Sequence, residues 1–120
     1  MSVRSGTRWE DVAARYLERH GLAVLARNYR CKLGELDLVC RDDDSLVIVE
    51  VRARARTSFA AAIESIGPRK RRRIVQATRH LLLRQSAWSR QPLRFDVVAI
   101  DGIDTPSPSI AWIKNAFDAS

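Results

Sequence analysis

The sequence predicts a mixed α/β fold, with a central sheet flanked by helices in the order α-β-β-β-α-α-β. Three observations carry this. Apolar residues recur at helical spacing near the N-terminus and again after Pro68. The stretch GELDLVCRDDDSLVIVEVRAR, residues 34–54, alternates like two strands around a turn. A further apolar run, LRFDVVAI, follows only after two helical segments, as a crossover to a neighbouring strand requires. The 120 residues, 46% hydrophobic and 29% charged, suffice for one soluble domain with a real core. We read residues 1–120 as that domain, with an ordered core over about 5–101, a turn-rich connection at 101–109 and a terminal apolar element at 110–117.

The elements follow in order. TRWEDVAARYLERHG is the first helix, with Trp9, Val12, Ala13, Tyr16, Leu17 and His20 on one face. Thr7 is placed to cap it, with Glu10 three residues on as in a capping box. LAVLARNYR is a strand, and residues 34–54 form the hairpin. SFAAAIESIG is a short helix. PRKRRRIVQATRHLLLRQ is a longer one, with Pro68 at its first position and Ile74, Ala77, Thr78, Leu81 and Leu82 facing inward.

No apolar run approaches the roughly 18 residues that span a membrane, and the N-terminus has no signal-peptide core. We therefore expect a cytoplasmic protein without a membrane partner. Cys31 and Cys40 form no CxxC pair, and His20 and His80 stand far apart, so zinc spacing is absent. In a reducing compartment the cysteines read as packed thiols.

The formal net charge is +7, and it is unevenly spread. Residues 51–95 hold 12 Lys and Arg against one acid, Glu64, so the remainder of the chain is net acidic. Such a concentrated basic surface suits a polyanion, and nucleic acid is the expected partner. Within it, Arg69, Lys70, Arg71, Arg72 and Arg73 open a helix. Five cations there oppose the helix dipole and repel one another, which a bound phosphate backbone would relieve. A solvated, salt-screened face is the plainer alternative. Trp88 and Trp112 could stack on bases but read more simply as core or rim residues.

The hairpin fixes its own register. A two-residue turn at Asp43-Asp44 pairs Asp42 with Ser45, Cys40 with Val47, Leu38 with Val49 and Leu36 with Val51. That face is wholly apolar. On the other, Val39 meets Ile48, Asp37 meets Glu50 and Glu35 meets Arg52, with Arg54 beyond. Two carboxylates placed directly opposite destabilise a sheet, so folding alone gives no reason for Asp37 and Glu50. Mg²⁺ (or Mn²⁺) would resolve the conflict, because such hard ions are held by one or two carboxylates, waters and substrate phosphate. The Val51 carbonyl could add an oxygen, and the ion could activate a water toward phosphorus. Arg52 could stabilise the developing charge but cannot act as a base. The alternative is a pair of solvent-facing acids balanced by Arg52 and Arg54.

These residues, from GTRWEDVAARYLERHG through GELDLVCRDDDSLVIVEVRAR to RFDVVAI and WIKNAF, resemble the YraN family of small bacterial proteins over nearly the whole chain. That family is similar to archaeal Holliday-junction resolvases and restriction-endonuclease-like nucleases, which share a helix acid, a strand Asp and a Glu-x-Lys. The resemblance implies a restriction-endonuclease-like α/β fold. It matches Glu10 to the helix acid, Asp37 to the strand Asp with Glu35 just before it, and Glu50 to the motif Glu. Arg52 stands where the lysine is expected. Asp37, Glu50, the Val51 carbonyl and Glu10 through water become metal ligands, and Arg54 with Arg69–Arg73 become phosphate contacts. The implied activity is Mg²⁺-dependent endonucleolytic cleavage of structured or branched DNA, and the resolvase likeness suggests a homodimer. A non-catalytic nucleic-acid-binding module and a protein-interaction subunit are the competing expectations.

Overall fold

The computed structural model describes residues 5–55 and 59–119. It is an α/β structure built on one five-stranded mixed sheet. The elements are α1 (Ser5–Arg19), β1 (Ala23–Cys31), β2 (Gly34–Asp42), β3 (Ser45–Arg54), α2 (Phe59–Glu64), α3 (Pro68–Arg84), a 3₁₀ turn (Ser86–Arg90), β4 (Leu93–Asp101) and β5 (Ser109–Phe117). The terminal apolar element is thus a strand. The spatial order is β1-β2-β3-β4-β5, antiparallel throughout except for the parallel β3–β4 pair. That parallel step needs the long crossover through α2 and α3. Among the described residues, no helix is long and apolar enough to cross a membrane.

Both faces of the sheet are core. Leu38, Cys40, Val47, Val49, Val98 and Ile100 pack under α1 against Ala13, Ala14 and Leu17. Val39, Leu46, Ile48, Phe95 and Val97 pack under α3 against Ile74, Val75, Ala77 and Leu81. The central strands are buried on both sides, as parallel pairing and covering helices dictate.

α1 departs from expectation in an informative way. His20 is exposed, its ring against Tyr16 and its Nδ1 2.8 Å from the Tyr16 carbonyl. Glu10 instead heads the buried stripe, in phase with Ala13, Ala14 and Leu17. The helix begins at Ser5, ahead of the expected cap. The side chain of Thr7 lies outside the described residues.

The hairpin keeps its expected register from Asp42–Ser45 to Leu38–Val49, with Asp43 at φ 53 in the turn. Pairing then stops. Leu36–Val51, Asp37–Glu50 and Glu35–Arg52 do not form as ladder pairs, and the strands part beyond Leu38. The alternation of faces also breaks at Asp37: Leu38 packs under α1, whereas Leu36 joins the core under α3. Opposite Asp37, between the pairs Arg27–Leu38 and Tyr29–Leu36, Asn28 takes a left-handed φ of 52, a conformation Asn tolerates better than most residues.

One close approach locks α3 onto this end of the hairpin. A Cβ on Gly34 would lie 2.7 Å from the Arg73 carbonyl oxygen, so only glycine lets the helix backbone come so near.

Candidate functional site

The parted end of β2 and β3 gathers the acids. Where continued pairing would direct the Val51 N–H to the main chain of β2, it donates instead to Asp37 Oδ2 at 2.9 Å. The Asp37 N–H donates to Glu50 Oε2 at 3.4 Å. The two carboxylates thus replace the missing ladder bonds and are held by backbone rather than by solvent. From α1, the Glu10 side chain hydrogen-bonds both Asp37 and Asn28.

Burial and mutual repulsion set the electrostatics. Glu10 and Glu50 are buried, at 8% and 2% exposure. Burial first, and then the charge of Asp37, pushes the Glu50 carboxyl from 4.5 up to about 8. The same causes, with the hydrogen bond to Asp37 added, push Glu10 from 4.5 up to about 7. Lys70 pulls Glu50 back most strongly, ahead of Arg52. In the absence of a cation the site therefore favours the neutral forms of Glu10 and Glu50.

Two cavities open on either side of Asp37. The larger, about 710 Å³, lies toward α3 and is lined by Arg30, Glu35, Asp37 and Glu50 of the sheet and by Arg69, Lys70 and Arg73 of α3. The smaller, about 390 Å³, lies toward α1 and is lined by Trp9, Glu10, Asp37, Arg52, Arg54 and Lys70 among others. Arg52 thus lines the cavity of Glu10, and its Nε is buried without a hydrogen-bond partner among the described residues. Glu35 pairs with Arg30 of β1 at 3.6 Å, not with Arg52.

The basic run divides. Arg69, Lys70 and Arg73 face the acids. Arg71 does structural work: its Nε donates to the Ile66 carbonyl at 2.7 Å and its guanidinium lies 5.2 Å from the centre of the Phe117 ring. Arg72 turns to the opposite groove beside Arg79. The tryptophans are packed. Trp112 Nε1 donates to Asp96 at 2.8 Å, and Trp88 rests on the α3-side core.

Asn28 and Lys70 are the site residues whose roles the sequence understates. A polar Asn within an otherwise apolar and basic strand was the signal for the first. The second was hidden inside a run of like charges. Among the described residues, no three acids, cysteines or histidines close around one point as a ready-made metal cage. The paired Asp37 and Glu50 match the smaller demand of Mg²⁺, which takes one or two carboxylates and completes its shell with water and phosphate. Cys31 and Cys40 are free thiols, and burial pushes that of Cys40 up to about 12.

Comparison with known proteins bears on this geometry. The model of an uncharacterised protein family, UPF0102, matches residues 9–100, which include Glu10, Asp37, Glu50 and Lys70. The chain belongs to the UPF0102 family. A UPF0102 protein of Pseudomonas fluorescens is 48% identical over 118 residues, covering 98% of this chain and 96% of its own. One from Pseudomonas aeruginosa is 45% identical, covering 95% and 92%. One from Legionella pneumophila is 42% identical, covering 99% and 98%. The UPF0102 relationship thus spans α1, the hairpin, α3 and β4, all the elements that build the site.

Proposed function

We propose that this UPF0102 protein is a cytoplasmic, divalent-cation-dependent endonuclease acting on structured or branched DNA. One observation carries the reading. Asp37 and Glu50 are held by backbone hydrogen bonds at a break in the sheet, with Glu10 against Asp37 and a cationic helix turn across the cavity. A structural role does not call for two like charges at such a break, and a surface role does not call for the burial of Glu50.

Asp37 and Glu50 would hold Mg²⁺ or Mn²⁺, with the Val51 carbonyl as a further oxygen and Glu10 acting through water. When bound, the ion supplies Lewis acidity toward the phosphodiester and activates a water. The chain's own residues do the rest. The Val51 N–H orients Asp37, and the Asp37 N–H orients Glu50. Arg52, Arg54, Arg69, Lys70 and Arg73 line the cavity walls, where they would contact phosphates. No guanidinium here can take the proton from water, so that proton leaves to solvent or to a phosphate oxygen.

The test is Mn²⁺ binding and cleavage by wild type and Asp37→Asn. Wild type should bind Mn²⁺, cut junction or flap DNA in Mn²⁺, and bind it uncut in Ca²⁺. Equal Mn²⁺ affinity in the two proteins removes the metal site and the nuclease reading with it. The arginine in the Glu-x-Lys position favours a second reading, a non-catalytic nucleic-acid-binding module. In that case DNA affinity falls steeply with salt and is indifferent to Asp37→Asn.

A further inference from the structure

Arg52 holds the sequence position of the expected motif lysine, but the space around the acids is organised about another cation. Among the described residues, Asp37 and Lys70 alone line both cavities. Lys70 lies in the first turn of α3, three residues before Arg73. The Arg73 carbonyl is the atom against which Gly34 packs. That backbone-to-backbone contact holds the first turn of α3 close to the parted strands, where Lys70 lines both cavities with Asp37 and its charge acts on Glu50. Lys70 is exposed, so its ammonium is open to a ligand. Arg52 is differently placed. It lines only the smaller cavity, with Arg54 beside it and a buried, unpartnered Nε donor. A buried donor of that kind gains a full hydrogen bond when an anion enters.

We propose that Lys70 is the cation that meets the reacting phosphate at the Asp37–Glu50 site, and that Arg52 and Arg54 hold the neighbouring phosphate in the smaller cavity. This rests on the nuclease reading above and adds a division of labour to it. A compact ammonium on a flexible stem serves as a point charge at the reacting group, whereas a planar guanidinium suits a fixed phosphate contact. The substrate strand then crosses Asp37 from one cavity to the other, with consecutive phosphates on Lys70 and Arg52. No bond to protein forms. Lys70 acts through its charge.

The experiment compares Lys70→Ala, Lys70→Arg and Arg52→Ala in the full chain by three measurements. These are single-turnover cleavage of flap DNA at saturation in Mn²⁺, DNA affinity in Ca²⁺, and Mn²⁺ affinity without DNA. Lys70→Ala should slow saturated cleavage about a hundredfold or more, as loss of a charge-stabilising group does. It should also tighten Mn²⁺ binding about threefold, because a competing positive charge is gone. Lys70→Arg should return Mn²⁺ affinity to the wild-type value. Arg52→Ala should weaken DNA affinity about tenfold, with a smaller loss of saturated rate than Lys70→Ala. The reverse ordering of the two alanine variants overturns the assignment while leaving the nuclease reading intact. Wild type that binds Mn²⁺ but never cuts overturns the nuclease reading and, with no reacting phosphate, the assignment of Lys70 as well. Wild type that does not bind Mn²⁺ overturns both.

Discussion

Glu50 accepts the N–H of Asp37 at 3.4 Å, and Asp37 in turn accepts the N–H of the residue after Glu50 at 2.9 Å. Each acid is thereby bound to the strand that carries the other. The gap between β2 and β3 is spanned by carboxylates, and the charge state of the site is tied to its shape.

Stability without metal should fall as pH rises. Glu50 and Glu10 ionise near 4.5 in an unfolded chain, but at about 8 and about 7 in the fold. Below 4.5 both states carry the protons and nothing is lost. As pH climbs from there through about 8, the unfolded chain releases protons that the fold retains, and stability drains away. Urea denaturation between about pH 5 and pH 8 should record this fall, and Glu50→Gln should flatten it and exceed wild type at the alkaline end.

Mn²⁺ binding should be coupled to proton release. Because Glu10 and Glu50 hold protons near neutrality, affinity should increase as pH rises toward about 8. Titration calorimetry in two buffers of different ionisation enthalpy measures the protons displaced. Asp37→Asn should weaken binding at least about tenfold, because losing a ligand costs no less than losing an outer-shell partner, which costs about 10–100-fold.

Gly34→Ala should destabilise the fold by about 1–3 kcal/mol, since the added methyl meets a backbone carbonyl that cannot rotate away. The same change should lift the first turn of α3 and weaken DNA binding at low salt. Chemical denaturation and a binding titration on the same sample separate the two effects.

Asp96→Ala should cost about 3 kcal/mol, because it takes a buried carboxylate from several donors while Arg94 keeps Asp42 as a partner. Asp96 is fully buried and receives Arg94 Nε and Nη2, Trp112 Nε1 and the Asn115 N–H. It lines neither cavity of the site, so Mn²⁺ affinity measured well below the melting temperature should match wild type.

Arg71 and Arg73 should behave oppositely. Arg71→Ala removes a guanidinium bonded to the Ile66 carbonyl and should cost about 1.5–3 kcal/mol of stability. Arg73→Ala should leave stability alone and lower the salt dependence of DNA binding by about one contact.

The hairpin was legible in the sequence because period-two patterning and a two-residue turn leave a single register that keeps acids off the apolar face, and Leu38–Val49 through Asp42–Ser45 follow it. Asp37 and Glu50 were legible for the same reason: they are out of place in that pattern. Glu10 could be read from its phase with Ala13, Ala14 and Leu17, although the nearer Thr7 suggested a cap. The parting of the strands beyond Leu38 could not be read, because it depends on side chains replacing ladder bonds. Nor could the place of Lys70, which is set by how closely α3 docks at Gly34, a contact between segments distant in the chain.

The ladder between β3 and β4 has a mechanical consequence. It runs unbroken from Leu46–Leu93 to Arg54–Asp101, well past the point where β2 leaves β3. Glu50 is therefore mounted on a fixed jaw, stiffened along its length by a neighbouring strand. Asp37 sits on the other jaw, the ribbon of β1 and β2, which parts from β3 beyond Leu38. On the proposed metal reading, the spacing of the two carboxylates is set by where that ribbon leaves β3, since no ladder pair joins Asp37 to Glu50.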